Sequence, residues 1–156
     1  ADDLLQLVIF QLGGEEFGVE IMQVQEIIRM PEITRIPQSP VYVEGVINLR
    51  GKIIVVINLD TRFDLNSKEL DDDSRIIIVE VGDNVVGMVV DSVSEVLRLS
   101  TSNVEPAPEI ISAKIKADYL KGVGKLDDRL LILLDLEKVL SDEEMTQLES
   151  VSEMHG

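Results

Sequence analysis

Residues Leu7–Met30, "LVIFQLGGEEFGVEIMQVQEIIRM", lie without a gap over Ile76–Leu99, "IIIVEVGDNVVGMVVDSVSEVLRL". Ile9 meets Ile78, Gly13 meets Gly82, Gly18 meets Gly87, Val24 meets Val93, Glu26 meets Glu95 and Arg29 meets Arg98. These are 6 identities in 24 positions, and most of the other pairs set apolar against apolar. A second pair follows, "YVEGVINLRGKIIVVINLDTRF" (Tyr42–Phe63) over "YLKGVGKLDDRLLILLDLEKVL" (Tyr119–Leu140). Here Tyr42/Tyr119, Gly45/Gly122, Val46/Val123, Leu49/Leu126 and Leu59/Leu136 coincide. The offset is 76 − 7 = 69 in the first block and 119 − 42 = 77 in the second, so the second half carries 8 extra residues within Ser100–Ala117. Two copies of so long a period describe a duplicated domain rather than a repeat array.

Each copy reads as strand. Valine and isoleucine dominate short apolar runs bounded by Gly, Asp or Asn. "LVIFQL" leads through Gly13-Gly14 into "EEFGVEI", and "IIIVEV" leads through Gly82-Asp83 into "VVGMVV". Glycine supplies the positive φ that such hairpin turns need. About five strands per half, with sheet edges to protect, predict that each half closes into a small barrel. A barrel of roughly 65 residues is marginal alone, so the two are expected to pack together. The expected division is a first barrel over 1–70, a second over 71–140, and a short helix and tail over 141–156. Ser141 and Glu144 in capping-box spacing mark that helix. "NSKELDDDS" between the halves reads as a polar linker.

Composition narrows the function. An apolar share of 45% supports a real core, which must be aliphatic because aromatics make up only 3%. A net charge of −16 argues against nucleic acid and anionic membrane surfaces, which need a basic stripe. No apolar run reaches the ~18 residues of a membrane span. Asp2 and Asp3 carry the wrong charge for a secretory leader, so a soluble cytoplasmic protein is expected. With no cysteine and a single histidine, His155, there is no Ser-His or Cys-His pair, and the commonest zinc ligands are missing. The acidic clusters fit a linker and a helix start. No catalytic residue, metal or cofactor is expected, and a two-carboxylate hydrolase is kept only as a remote alternative.

One charge stands out. In "EGVINLRGKIIVVINL" (Glu44–Leu59), Arg50 sits between two apolar runs, and its counterpart in the second half is Asp127. The turn is therefore built with either sign, and Arg50 belongs to something particular to the first half. Two readings stand: Arg50 pairs with Glu26, an acid present in both halves, or it presents its guanidinium to a partner.

The segments "EEFGVEIMQVQEI", "TRIPQSPVYVEGVINLRGKIIVVINL", "VVGMVVDSVSEVL", "PAPEI" and "YLKGVGKLDDRLLILLDLEKVLSDEE", in that order, make the chain resemble the CheW family of bacterial chemotaxis coupling proteins. The likeness runs from about Leu5 to Leu148, and Gly45–Gly51 is its most specific part. Val55 and Asn58 depart from the family, which often has Pro and Asp there. The resemblance implies two SH3-like five-stranded barrels, pseudo-symmetric and packed together. It implies a non-enzymatic adaptor joining the regulatory domain of the histidine kinase CheA to the cytoplasmic tip of methyl-accepting chemoreceptors. The protein would then be cytoplasmic, recruited to receptor clusters without entering the membrane, and monomeric in isolation.

Val24, Glu26 and Arg50 carry over to the family's receptor-binding groove, and Ile27 and Val86 join them by inference. The segments "EITRIPQSP" and "NVEPAPEII" are counterparts, one per half, and Ile33, Ile36, Glu105 and Ile110 are the expected kinase-binding contacts. The nearest alternative is a CheW-like module of a larger kinase or of a receiver-fused adaptor, against which the capped end and acidic tail favour a stand-alone chain.

Overall fold

A computed structural model describes residues 3–63, 65, 70–112, 115 and 117–139 of the chain. The helix expected at Ser141 and part of the linker, Asn66–Glu69, lie outside the described residues. The first half runs β1 (Leu4–Leu12), β2 (Glu15–Glu20), β3 (Val24–Arg29), β4 (Val43–Leu49), β5 (Lys52–Asn58) and the one-turn helix α1 (Leu59–Arg62). The second runs β6 (Arg75–Val81), β7 (Asn84–Val90), β8 (Ser92–Ser100), the short β9 (Val104–Glu105), α2 (Glu109–Ser112), β10 (Leu120–Leu126), β11 (Arg129–Leu134) and α3 (Leu136–Val139). At the offset of 77, β4 falls on β10 and α1 on α3 to the residue. No helix among the described residues is long and apolar enough to cross a membrane.

The strands form two sheets, one ordered β8-β1-β2-β11-β10-β9 and the other β3-β6-β7-β5-β4. Replacing each strand of the second by its repeat counterpart reproduces the first, with β9 left over at the edge. In the first half the place of β9 is taken by the single bridge Thr34–Val46. The boundary expected at residue 70 marks the repeat and not the sheets. Each sheet takes its hairpin, β1–β2 or β6–β7, from the opposite half. The splice is parallel in both sheets, with Val55 beside Val86 and Ile132 beside Phe17.

Burial follows from that exchange. Alternate residues point into their own barrel: Ile54, Val56, Ile76 and Ile78 in one, Leu131, Leu133, Leu7 and Ile9 in the other. The opposite faces meet between the barrels, where Val8, Phe10, Phe17, Ile57, Ile77 and Met88 form the largest cluster. Both faces of the central strands are thus buried, which is why their sequences read as near-continuous apolar runs rather than as alternation. Fully burying one such side chain contributes about 1.5–3 kcal/mol. The 8 extra residues of the second half carry α2 and deliver Ile115 into this shared cluster, where it is 3% exposed.

Arg62 lies where the halves meet. Its guanidinium carbon is 5.0 Å from the Tyr42 ring centroid and 4.9 Å from that of Tyr119, the residue equivalent to Tyr42. It also donates a hydrogen bond of 2.9 Å to the carbonyl of Val139, its own counterpart. One arginine thus joins elements of both repeats through cation–π contacts.

Candidate protein-interaction surface

β3 is an edge strand, so one side of its backbone lacks a ladder partner in the sheet. It emerges from the 3-10 turn Ile21–Gln23 and pairs with β6, with a register shift between Val24 and Glu26. Val24 is half-buried against the shared cluster. The next residues alternate, leaving Glu26 half-exposed and Ile27 39% exposed.

Opposite Glu26 stands the β4–β5 hairpin. Leu49 pairs with Lys52, so Arg50 and Gly51 form a two-residue turn, with φ of 51° and 87°. Positive φ at both positions is the type I′ geometry that follows the twist of the flanking strands. Asn48 Oδ1 accepts the Gly51 N–H at 2.9 Å and holds the tip. From it Arg50 reaches Glu26 in a fork: Nη1 donates to Oε1 at 3.2 Å and Nη2 donates to Oε2. Hydrogen bonding from Arg50 draws the Glu26 carboxyl below its usual range, partial desolvation opposes this, and the cation's charge adds to it. The same hydrogen bonds raise Arg50 above its ordinary value. The pairing reading of Arg50 is therefore met in the geometry. The Arg50 side chain still keeps 71% of its surface exposed, against 31% for Glu26.

Val86 stands apart from this group. It is 2% exposed in β7, between Val79 and Val55, and packs into the shared cluster. It has no outward surface, because β7 lies at the centre of its sheet with both faces covered. Val86, placed by inference in the receptor-binding group, is on that ground a core residue and not a surface one.

The second set divides between the sheets. Ile33 is half-buried against the barrel interior and Ile36 against the shared cluster, on either side of Thr34, which exchanges backbone hydrogen bonds of 2.9 and 2.8 Å with Val46. Glu105 lies on β9 and pairs with Lys125 at 3.1 Å. Ile110, on α2, is 72% exposed. The two segments are structural counterparts at the outer edges of their sheets, as the repeat implied. Near the first, Val41 is 88% exposed.

Sequence reasoning missed the second ion pair. In the other barrel Arg129, two residues beyond Asp127, donates through Nε to Glu16 at 3.2 Å and lies 3.2 Å from Glu95, the counterpart of Glu26. Hydrogen bonds donated to Glu16 raise the pKa of Arg129, with burial acting against it. The retained Glu95 was the available signal, but the arginine sits at a different rung. Among the described residues no group of three or more His, Cys, Asp or Glu is placed to hold a metal ion. What this surface offers is apolar contact, a bidentate cation and, in β3, an edge strand with no ladder partner on one side among the described residues, which suit binding another protein.

Comparison with known proteins gives the family. A family model described as the CheW-like domain matches residues 6–144. The chain is 42% identical over 150 residues to the chemotaxis protein CheW of Klebsiella aerogenes, covering 96% of this chain and 90% of that protein. It is 38% identical over 151 residues to the CheW of Treponema pallidum, covering 94% and 88%. A crystal structure of the scaffolding protein TtCheW from Thermoanaerobacter tengcongensis has a TM-score of 0.83 against it at 37% identity, covering 91% of this chain and 96% of that one.

Proposed function

The chain belongs to the CheW-like domain family and is a chemotaxis scaffold protein; from that premise we propose that it couples a CheA-type histidine kinase to chemoreceptors by binding alone. The receptor face is β3 with the hairpin tip beside it: Val24, Glu26, Ile27 and Arg50. The observation that carries this reading is Arg50, which is fixed by Glu26 and yet 71% exposed. An arginine whose fork is already oriented loses less conformational freedom when a partner docks on it.

The kinase contacts are assigned to the two edge segments, Ile33 and Ile36 in one sheet and Glu105 and Ile110 in the other. A molecule with one such edge per repeat suits head-to-tail joining to domains of like shape, and contacts of that heterologous kind close into rings. No reaction is needed in this role. A scaffold that binds one state of the receptor–kinase assembly better than the other shifts the equilibrium by its differential affinity, for which a few kcal/mol suffice. The protein works in the cytoplasm, gathered to receptor clusters by these contacts.

Titration calorimetry against the isolated regulatory domain of the cognate CheA-type kinase tests the reading. Saturable one-to-one binding supports it. Absence of binding to a folded cognate domain overturns the kinase assignment, and the same titration with a receptor cytoplasmic fragment decides the receptor assignment independently.

A further inference from the structure

The β1–β2 hairpin is tied to the half of the chain it does not belong to. β1 ladders on β8 from Leu4–Ser100 to Gln11–Ser92, and β2 runs parallel to β11 at Phe17–Ile132 and Gly18–Leu133. The polar links described for the hairpin go the same way. The Asp3 carbonyl accepts from Thr101 N at 3.0 Å, and the Gln11 carbonyl accepts from Asp91 N at 3.0 Å. Gly13 N donates to Asp91 Oδ2 at 3.0 Å, Glu20 pairs with Lys121 at 2.8 Å, and Glu16 pairs with Arg129. None of the described ladders joins it to β3, β4 or β5. Its covalent link to β3 is the 3-10 turn Ile21–Gln23, which buries no residue and in which Met22 is 92% exposed.

We propose that this hairpin is an exchangeable arm: the slot between β8 and β11 accepts the β1–β2 hairpin of a second copy of this chain, giving a closed twofold dimer. The described ladder bonds and ion pairs of the arm with the slot are the same whichever copy supplies it. The balance between monomer and dimer therefore rests on the entropy of association and on the connecting turn, and exchange of an identical element is a low-cost route to dimers. Three residues drawn out span at most about 10 Å. Opening the Ile21–Gln23 turn sends the arm away from its own body, and the edges of β8 and β11 it vacates are those a second arm fits. The arm's Phe10 and Phe17, both 0% exposed, would otherwise be left in water, so an open arm is driven to find a slot.

The chain has no cysteine, so one engineered pair reads the exchange directly. Gln6 and Arg98 are opposed across β1 and β8, and both are exposed. Cα separations across antiparallel partners fall in the range a disulfide bridges. The full chain carrying Gln6→Cys and Arg98→Cys is refolded from denaturant at high and low protein concentration, oxidised, and run on a non-reducing gel beside light scattering. The expected result is a disulfide-linked dimer that grows with the concentration at refolding, and a loss of the monomer peak when Met22 is also deleted. A disulfide that stays within one chain at every concentration overturns the proposal, whether the particles are monomeric or associated, since a dimer made by surface contact keeps the bond within each chain. The double-cysteine chain without the deletion decides the matter if the shortened turn prevents folding.

Discussion

Arg50 and Asp127 share one left-handed backbone, φ 51° at each, at equivalent tips of the β4–β5 and β10–β11 hairpins. A non-glycine residue there costs roughly 1–2 kcal/mol, and the fold accepts it twice with opposite charge. The strain therefore belongs to the hairpin and the charge does not. In one barrel the tip arginine clasps Glu26. In the other, Arg129, two residues further along, takes Glu16 in its fork and lies 3.2 Å from Glu95. The barrels thus close similar seams from different rungs. Only the first leaves its arginine mostly in solvent, at 71% exposed against 32% for Arg129.

Arg50→Glu is expected to keep the fold, since Asp127 shows that an acid is accepted at the tip, while weakening binding to a receptor cytoplasmic fragment at least about tenfold, the loss typical of a truncated or reversed hot spot. Thermal melts and calorimetry on the same sample separate the two effects. The double exchange Glu26→Arg with Arg50→Glu restores the pair with its polarity inverted. Recovered binding in that variant would mean that the pair matters only as a clasp; continued weak binding assigns the cation itself to the partner.

The acid limb of stability carries a second mark of this pair. The Glu26 carboxyl is held below its unfolded value of 4.5, mainly by hydrogen bonds from Arg50. A carboxyl depressed in the folded state contributes stability that is fully present above the unfolded pKa and is lost as pH falls through the folded one. Wild type should therefore melt above Glu26→Gln at neutral pH, and the gap should narrow as pH drops below about 4.5. A gap that stays constant through the acid range would show that the carboxylate does not hold the pair in solution.

How far the sequence could be read depends on what each feature constrains. The register of the repeat was legible because hairpin turns need special backbone at fixed spacing, and Gly13/Gly82 and Gly45/Gly122 mark it. The choice of barrel for each hairpin was not. Under a twofold relation β1–β2 meets β8 and β11, or their counterparts β3 and β5, through nearly the same side chains, so local pattern fits either arrangement. The Glu26–Arg50 pair was legible from one retained acid and one unmatched base, whereas the shift of the base to Arg129 hid its partner pair. Val86 was misplaced because apolar runs in strands covered on both faces do not say which side is out.

Gly45 and Gly14 separate two uses of positive φ. Gly45 has φ 149°, and a Cβ there would collide with the Thr34 carbonyl, which holds the Ile33–Ile36 segment on β4. Gly14 has φ 83°, and no described atom lies within 4 Å of a Cβ placed there. Gly45→Ala should cost about 3 kcal/mol or more and release that segment, while Gly14→Ala should cost about 1 kcal/mol for its backbone alone. Denaturant unfolding of the two variants gives the comparison. Gly45→Ala is also expected to lose affinity for the kinase regulatory domain beyond what its unfolded fraction explains.

Ile27 and Val86 divide surface from core within the set of residues the sequence offered for the receptor face. Val86 touches the shared cluster and is 2% exposed, whereas Ile27, on the edge strand beside Glu26, is 39% exposed. Val86→Ala should lower stability by about 1–3 kcal/mol, through lost burial and the cavity left behind, and leave the affinity of the folded fraction unchanged. Ile27→Ala should change stability by less than about 1 kcal/mol and weaken receptor binding, because its cost falls on the partner's apolar contact rather than on the core. The two are compared at a temperature where both remain folded, with unfolding and binding measured on the same preparations. Equal loss of affinity in both variants would place the contact elsewhere and make β3 a structural edge. Loss in Ile27→Ala alone would fix the receptor face on the outer side of β3, next to the arginine that Glu26 holds in place.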